Sequence, residues 1–509
     1  MSSFPQPFIS TVSHWQASNR GPTSLYNHGK DALLPKHARC VIIGAGMTGA
    51  SLAYQLSKAD SALSGEGNLV VLEAKDVASG ATGRNGGHVR PASFNSYPGL
   101  ILPLDQGVAG HTPAEAMRVL EDEEENMRLV ADIVEKEGLN DGPFGGVEWR
   151  MSESNYVYRN EAERVEGKQA LEAYTAARKD LGHPPAVGIR FIDDPAEARR
   201  ISRVKEAVAC SITPAGMVHP HKLATALLRL ALATQKCELF SWTPVSTIER
   251  SGKSWIVRTS RGDITADKVV LASSAHTRHL WETPELPFSK LITATRAHCC
   301  HVTPPTNYSG TGAYEPSVSW GGTYLRDVAG AGWVMGIGAQ TIREYELAPP
   351  EEVYDVVDDS VLTSGVEGHL RQTLTDSFVD WNEVPGEGTG RVWSGIMGYS
   401  RDKLPFVGPI PGAEGMYAAV AFHGHGMSRI LCCTRALATQ MLDPQHKWDE
   451  RLPRSFEITP ERIKRALEAP PIKPAAPNLA GQGMPVEKLK QPESGPSGPS
   501  GAKSGCSLM

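Results

Sequence analysis

No C-x-x-C pair occurs among the 8 cysteines, so neither a zinc ribbon nor a thioredoxin-type dithiol is written in this chain. The thiols are scattered at Cys40, Cys210, Cys237, the neighbours Cys299 and Cys300, the neighbours Cys432 and Cys433, and Cys506. Reduced cysteines in an intracellular protein are the simplest account of that scatter. There is no basic surplus either. The 51 Lys and Arg against 57 Asp and Glu leave a net charge of -6, which excludes a dedicated nucleic-acid binder, because phosphate neutralisation needs cations. No apolar run reaches about 18 residues, so no helix is expected to span a bilayer. The opening MSSFPQPFISTVSHWQ lacks a basic start followed by an apolar stretch, so no secretory signal is expected and a cytoplasmic location is. No internal repeat is visible. What remains is 509 residues, 40% hydrophobic and 21% charged, an ordinary globular composition with room for more than one packed region.

Residues 1–36 read as a polar lead-in carrying Pro and Gly. From Ala38 the pattern is strand, glycine turn, helix, strand, and then a second glycine-rich loop up to Val89. EAMRVLEDEEENMRLVADIVEKEG, from Glu115, has helical apolar spacing and a Gly stop. Its acidic run Glu121–Glu125 reads as a solvated helix face. Residues 240–272 read as a β-meander with a Gly-Asp turn. A Gly- and aromatic-rich region follows, including the strand-like GWVMGIGAQ. From Val392 glycine loops resume and lead into the amphipathic helix MSRILCCTRALATQML. Beyond about Ala469 the composition turns to Pro, Gly, Ser and Lys, and residues 470–509 are expected to be a disordered tail.

The motif that organises the rest is CVIIGAGMTGASLAYQL, which sets Gly44, Gly46 and Gly49 in G-x-G-x-x-G between a strand and a helix. Gly44 makes the tight turn, Gly46 admits a pyrophosphate to the backbone, and Gly49 lets the helix pack on the strand. The helix N-terminus, at Met47 and Thr48, then faces the phosphate charge. The apolar strand LVVL follows and ends in Glu73, 24 residues beyond Gly49. An acid there accepts hydrogen bonds from ribose hydroxyls. Strand, glycines, helix, strand and acid in this order indicate a dinucleotide site.

The next loop, ASGATGRNGGHVRP, resembles the flavin-side loop of the D-amino-acid-oxidase and sarcosine-oxidase superfamily. PAGMVHPHKLATALLRLA, from Pro214, is similar to that family's helix entry. GDITADKVVLASSAHTRHL is similar to its second FAD-contacting strand, and VWSGIMGYSRDKLPFVGPIP with MYAAVAFHGHGMSRILCCTRALA to its flavin-capping segment. The resemblance covers roughly residues 38–445 in family order. The Arg84-Asn85-Gly86-Gly87 tetrad and the Gly-His-Gly loop look most like the γ-glutamylputrescine-oxidase-like branch.

The resemblance implies an α/β fold: a Rossmann-like, glutathione-reductase-like FAD-binding domain assembled from residues 37–110, 205–280 and 390–446. An α+β substrate domain with a mostly antiparallel sheet would come from 111–204 and 281–389. The cofactor implied is FAD rather than NAD, held without a covalent link. Its contacts would come from Gly44, Gly46, Met47, Thr48, Gly49 and Glu73, then Ala81, Thr82, Arg84, Asn85, Gly86, Gly87 and His88. Val245, Ala272, Gly424, His425, Gly426 and Met427 complete the set. By offset, the histidine that links flavin in some relatives falls on Arg84, and the linking cysteine falls near Ile396.

The loop His423–Met427 precedes a helix, and its free N–H groups would stabilise the negative pyrimidine edge of a reduced flavin. His425 either hydrogen-bonds the flavin or packs beneath it. Arg90 matches the first of two basic residues that hold substrate carboxylate in sarcosine oxidases, and guanidinium–carboxylate pairing is the reason to want it there. The alternative for Arg90 is a salt-bridged or phosphate-side arginine. The second basic position falls on Ser428, beside Arg429. Trp393 and Tyr399 either wall the pocket or belong to the core. The implied reaction is hydride transfer from a carbon bearing a neutral amine to flavin N5, giving an imine that hydrolyses. The implied donor is an amine or amino acid, and the implied acceptor is O2. GWVMGIGAQ has no lysine of the kind those oxidases use toward oxygen, which leaves another acceptor open.

Two further readings stand beside this one: a flavin oxidase or cyclase acting on a larger natural-product intermediate, and a prenylated flavoprotein with little turnover. The last follows from Cys506-Ser507-Leu508-Met509, which fits C-a-a-X and would direct farnesylation of Cys506, with membrane contact as its consequence. A degenerate peroxisomal ending, Ser-Leu-Met, competes with it.

Overall fold

Strands that are apolar on both faces need cover on both faces, and the run Cys40-Val41-Ile42-Ile43 receives it. The computed structural model describes residues 9–59, 68–102, 110–141, 146–443, 445 and 448–472. In it His37–Ile43 lies between Gly262–Leu271 and Leu69–Leu72, parallel to both. Met416–Val420 and Cys237–Phe240 extend this parallel array on its two sides. Phe406–Pro409 adds an antiparallel edge. The meander expected at 240–272 is present as Val245–Ser251 and Ser254–Thr259 leading into Gly262–Leu271. Helices Met47–Lys58, Pro220–Ala233 and Gly426–Leu442 pack against one another on this sheet, where small residues allow close approach.

The second sheet has nine strands and is mostly antiparallel. Its order is Gly388–Ser400, Ile292–Thr303, Trp333–Ile337, Thr323–Asp327, Ser317–Trp320, Arg150–Tyr158, Ala209–Met217 and His88–Val89, with Arg190–Ile192 also paired to Ala209–Met217. The mixed α/β fold with two sheets is thus as expected. His88–Val89, Ala209–Met217 and all but the first two residues of Gly388–Ser400 lie inside the segments expected to build the FAD-binding half, yet they pair into the second sheet. The chain passes from one sheet to the other within those segments, and composition carries no mark of the crossing.

Two expectations need correction. The lead-in is integral to the fold: Ser13 caps the short helix His14–Ser18 with a reciprocal capping box, and Trp15 is fully buried. The acidic run in the helix Pro113–Lys136 is not a solvated face. Asp122 and Glu123 are buried, while Glu121 and Glu125 pair with His183 and Arg435 at its flanks. The tail beyond residue 472, with Cys506, lies outside the described residues. Among the described residues, no helix is long and apolar enough to cross a membrane.

Candidate active site and cofactor cleft

A cavity of about 500 Å³ runs between the two sheets, from the glycine turn to the loop 421–427, a volume typical of a small-molecule site. Of the residues expected to hold the cofactor, Gly49 and Gly87 stand behind the wall and all the others line the cavity. Gly44 has φ +110°, and a Cβ on it would meet the Ala272 carbonyl at 2.8 Å. A Cβ on Gly49 would stand 1.9 Å from the Gly44 carbonyl oxygen, so its lack of a side chain brings helix and strand together.

The turn is braced from the side. The Met47 N–H donates to Thr82 Oγ1 at 2.8 Å, and the Ala45 and Lys75 N–H groups donate to the Glu73 carboxylate at 2.8 and 2.9 Å. Burial pushes the Glu73 carboxyl up against these bonds. Gly46 offers no side-chain cap to the helix Met47–Lys58, so its first-turn amides other than that of Met47 remain available to an anion. In the tetrad, the Asn85 amide closes its own loop on Ala81, Thr82 and Gly87. Gly86 leaves space for Tyr324, whose ring lies 2.4 Å from where a Cβ would be.

Arg84 borders the cavity but is held by the protein. Its guanidinium donates to Ser79, Thr11 and Ser394 oxygens and pairs with Asp359 at 3.3 Å. Asp359 also takes Lys75 at 3.0 Å. His88 Nε2 lies 3.1 Å from Ser317 Oγ, and burial holds its ring well below the usual histidine range. Ile396 lines the cavity with no thiol. Trp393 belongs to the core with Trp15 and donates from Nε1 to the Arg84 carbonyl. Tyr399, by contrast, lines the cavity.

At the far end, Arg90 donates through Nη1 to Ser319 Oγ at 2.6 Å and reaches Ser154 Oγ at 3.4 Å. Burial lowers its pKa from the ordinary arginine value. The Arg90 carbonyl accepts from Ser428 Oγ at 2.8 Å, so the second basic position is occupied by a residue that holds the first. Arg429 does not replace it. It is buried, and its Nε pairs with Glu123 Oε1 at 2.7 Å.

Glu123 was not expected here. It is fully buried, accepts the Ala92 N–H, and faces His425 Nδ1 at 3.5 Å. Burial pushes its carboxyl up, but Arg429 and then His425 outweigh burial and pull it down to about 2. Three residues along, Asn126 inserts its amide into the first turns of the helix Gly426–Leu442, donating to Met427 O and accepting from the Leu431 and Cys432 N–H groups. The preceding loop is strained, with positive φ at Ala421, His423 and Gly424. His423 meets Tyr399 edge-on at 4.3 Å, burial lowers its pKa well below the ordinary value, and its Nδ1 is buried without a hydrogen-bond partner.

These features fit FAD. Uncapped helix amides and the Glu73 carboxylate stand at one end of the cavity. At the other, the helix Gly426–Leu442 has no side-chain cap and the His423 nitrogen is unpaired. Tyr324, Cys299, Lys75, Thr243, Ser274 and Asp359 also line the cavity and had not been singled out. Strands of the second sheet bring Tyr324 and Cys299 there, whereas Lys75, Thr243 and Ser274 arrive on segments that follow strands of the first sheet.

Residues 39–440 match the model of the family described as FAD dependent oxidoreductase, DAO. A probable oxidoreductase, OrdL, of Rhizobium meliloti is 22% identical over 417 residues, covering 81% of this chain and 85% of that protein. Glycine oxidase from Geobacillus kaustophilus superposes with a TM-score of 0.61 at 19% identity, covering 83% of this chain and 99% of its own. L-Proline dehydrogenase from P. horikoshii does so with a TM-score of 0.60 at 18% identity, covering 85% and 99%. Both likenesses are likenesses of fold.

Proposed function

Because the chain belongs to the DAO family of FAD-dependent oxidoreductases, we propose that it oxidises a C–N bond of an amine or amino acid whose carboxylate is held by Arg90. The observation that carries this reading is the state of the cationic side chains on the cavity wall. Arg84 and Lys75 are both tied to Asp359, whereas among the described residues Arg90 has only serine hydroxyls as side-chain hydrogen-bond partners. A guanidinium so placed gains most from a bidentate carboxylate.

FAD, when bound, supplies the acceptor for the hydride leaving the carbon next to nitrogen. The chain's own residues bind and orient. Arg90 fixes the carboxylate, Tyr324 and Tyr399 wall the pocket, and the uncapped start of the helix Gly426–Leu442 presents N–H groups to developing negative charge. The product imine hydrolyses in water, and oxygen takes the electrons. The flavin is held without a covalent link, since Arg84 has its guanidinium engaged and Ile396 has no thiol. Within the family, the Arg84–Gly87 tetrad and the Gly-His-Gly loop favour the γ-glutamylputrescine-oxidase-like branch.

The test is the visible spectrum of the purified protein under anaerobic conditions, before and after adding a panel of amines, amino acids and N-alkyl amino acids. Bleaching by a carboxylate-bearing amine, with a KM raised at least tenfold in Arg90→Met, supports the reading. Readmitted air that restores the band identifies oxygen as the acceptor. A flavin band that none of the panel bleaches refutes the reading.

A further inference from the structure

Glu123 sits where three elements around the substrate end meet. From the helix Pro113–Lys136 it accepts the Ala92 N–H, two residues beyond Arg90. It pairs with Arg429 on the helix Gly426–Leu442, and it faces His425 at that helix's N-cap. His425 lines the cavity, with its side chain 41% exposed while Glu123 is 0% exposed. The ring therefore has one nitrogen, Nδ1, against a buried carboxylate. Among the described residues, no protein group hydrogen-bonds Nε2. A histidine whose Nδ1–H is directed at an acceptor carries its lone pair on Nε2.

We propose that Glu123 is a positioning residue for His425, the proton acceptor of the reaction: it fixes the imidazole with Nδ1–H toward itself and leaves Nε2 to take the proton of a substrate ammonium. The inference rests on the amine-oxidation reading of this site. In the step, an N–H bond of R–NH3+ breaks, its electron pair stays on nitrogen, and the proton passes to Nε2. The products are a neutral amine and an imidazolium. The neutral amine is the form that can release a hydride from the adjacent carbon, and the imidazolium has Glu123 as counter-charge.

The other ionisable groups around His425 do not take over that role. Arg429, on its own helix, is already paired with Glu123. His423, on its own loop, has its pKa lowered well below the usual histidine range by burial, and burial pushes the Asp122 carboxyl, on the long helix, well above the usual carboxylate range. Arg90, on the neighbouring segment, is cationic and serves the carboxylate. The arrangement parallels the general logic of a base oriented by a third group.

The test requires no substrate. The ring tautomer is read by NMR of holoenzyme labelled with 15N-histidine, with the His425 signal assigned by its loss in His425→Gln. Nδ1-protonated neutral imidazole is expected in the wild type. In Glu123→Leu, which leaves Nδ1–H without its acceptor, the ring should lose its preference for the Nδ1-protonated tautomer. An Nε2-protonated ring in the wild type overturns the proposal whether or not the variant folds, and so does an unchanged tautomer in a Glu123→Leu protein that keeps its FAD. Once a bleaching amine is known, His425→Gln should slow anaerobic flavin reduction about a hundredfold at saturating substrate. An undiminished rate also overturns the proposal. Failure of the whole panel to bleach the flavin refutes amine oxidation and leaves the tautomer result standing.

Discussion

Replacing Gly49 by alanine sets two effects of opposite sign against each other. Gly49 lies in the first turn of the helix Met47–Lys58, and an alanine inside a helix ordinarily gains about 1 kcal/mol over glycine. Here the added Cβ would lie 1.9 Å from the Gly44 carbonyl oxygen and 3.3 Å from Ile42 Cγ2. Ordinary contact needs about 3.4 Å, so helix and strand would have to part by roughly 1.5 Å. Gly44 cannot give way easily, because its N–H is bonded to Leu72 O at 2.8 Å and its own Cβ position is blocked by Ala272. Overpacking of this kind costs about 1–3 kcal/mol, which cancels or exceeds the propensity gain. The larger effect falls on the cofactor. Moving the first-turn amides away from the pyrophosphate weakens charge-assisted hydrogen bonds of about 1.5–3 kcal/mol, and FAD affinity should drop roughly ten- to hundredfold. The assay is titration of the apoprotein with FAD, read by flavin fluorescence quenching, alongside a thermal melt. Gly368→Ala is the control, because nothing lies within 4 Å of its added Cβ and it sits in the helix Val366–Ser377. It should raise Tm slightly and leave FAD affinity unchanged. If Gly49→Ala binds FAD within threefold of wild type and melts no lower, the contact argument is wrong.

Acid should loosen the fold through buried neutral histidines. Burial, with Arg296 adding to it, pushes His298 down to about 3, and burial pushes His221 to about 4. The unfolded chain therefore takes up protons first, and stability that is full above pH 6.5 is lost as the pH falls toward those values, by about 2 kcal/mol per group between pH 6.5 and 5. His298 Nε2 accepts the Thr363 N–H at 3.1 Å, so His298→Asn should lower the urea midpoint at pH 7 yet flatten its decline toward pH 5; an unchanged decline contradicts the assignment. Arg462 and Asp402 form a buried bidentate pair at 2.9 and 3.2 Å. Arg462→Met should cost about 3–5 kcal/mol by stranding the carboxylate, and Arg462→Met with Asp402→Leu should recover much of it; equal losses in single and double variants refute the pairing argument. Gly86→Ala should push Tyr324 aside and part it from Cys299, whose Sγ lies 3.0 Å from the phenol oxygen. Faster maleimide labelling of Cys299 is the readout, and labelling at the wild-type rate counts against it.

The glycine turn, the parallel strands around it and the capping helix were legible because local patterning governs them: a β-branched run, three spaced glycines and an amphipathic repeat. Glu123 was half legible. Ala116, Leu120, Glu123, Met127, Val130 and Val134 form one apolar stripe at helical spacing, and a carboxylate in that stripe must be paired. Its neighbours in the acidic run hid the signal, and its partner Arg429 lies 306 residues away. Asp359 had no local signal at all. It earns its place beside Arg84 and Lys75 only when the second sheet folds against the first. Strand exchange between the sheets was equally silent, since a strand reads the same whichever sheet it joins.

The strap made by residues 10–19 has a consequence for the order in which the protein can be completed during synthesis. Thr11 bonds Arg84, Ser394 and Asp359, and Trp15 donates to the Asn85 carbonyl. Residues 10–19 are thus tied both to the loop 83–85 and to residues 359 and 394, which are made roughly 275 to 310 residues later. The contacts to Arg84 and Asn85 can form early, but the clamp is complete only once residues 359 and 394 have emerged. A ribosome-stalled product ending before residue 390 therefore lacks the Ser394 contact of the clamp, even though its glycine turn is intact.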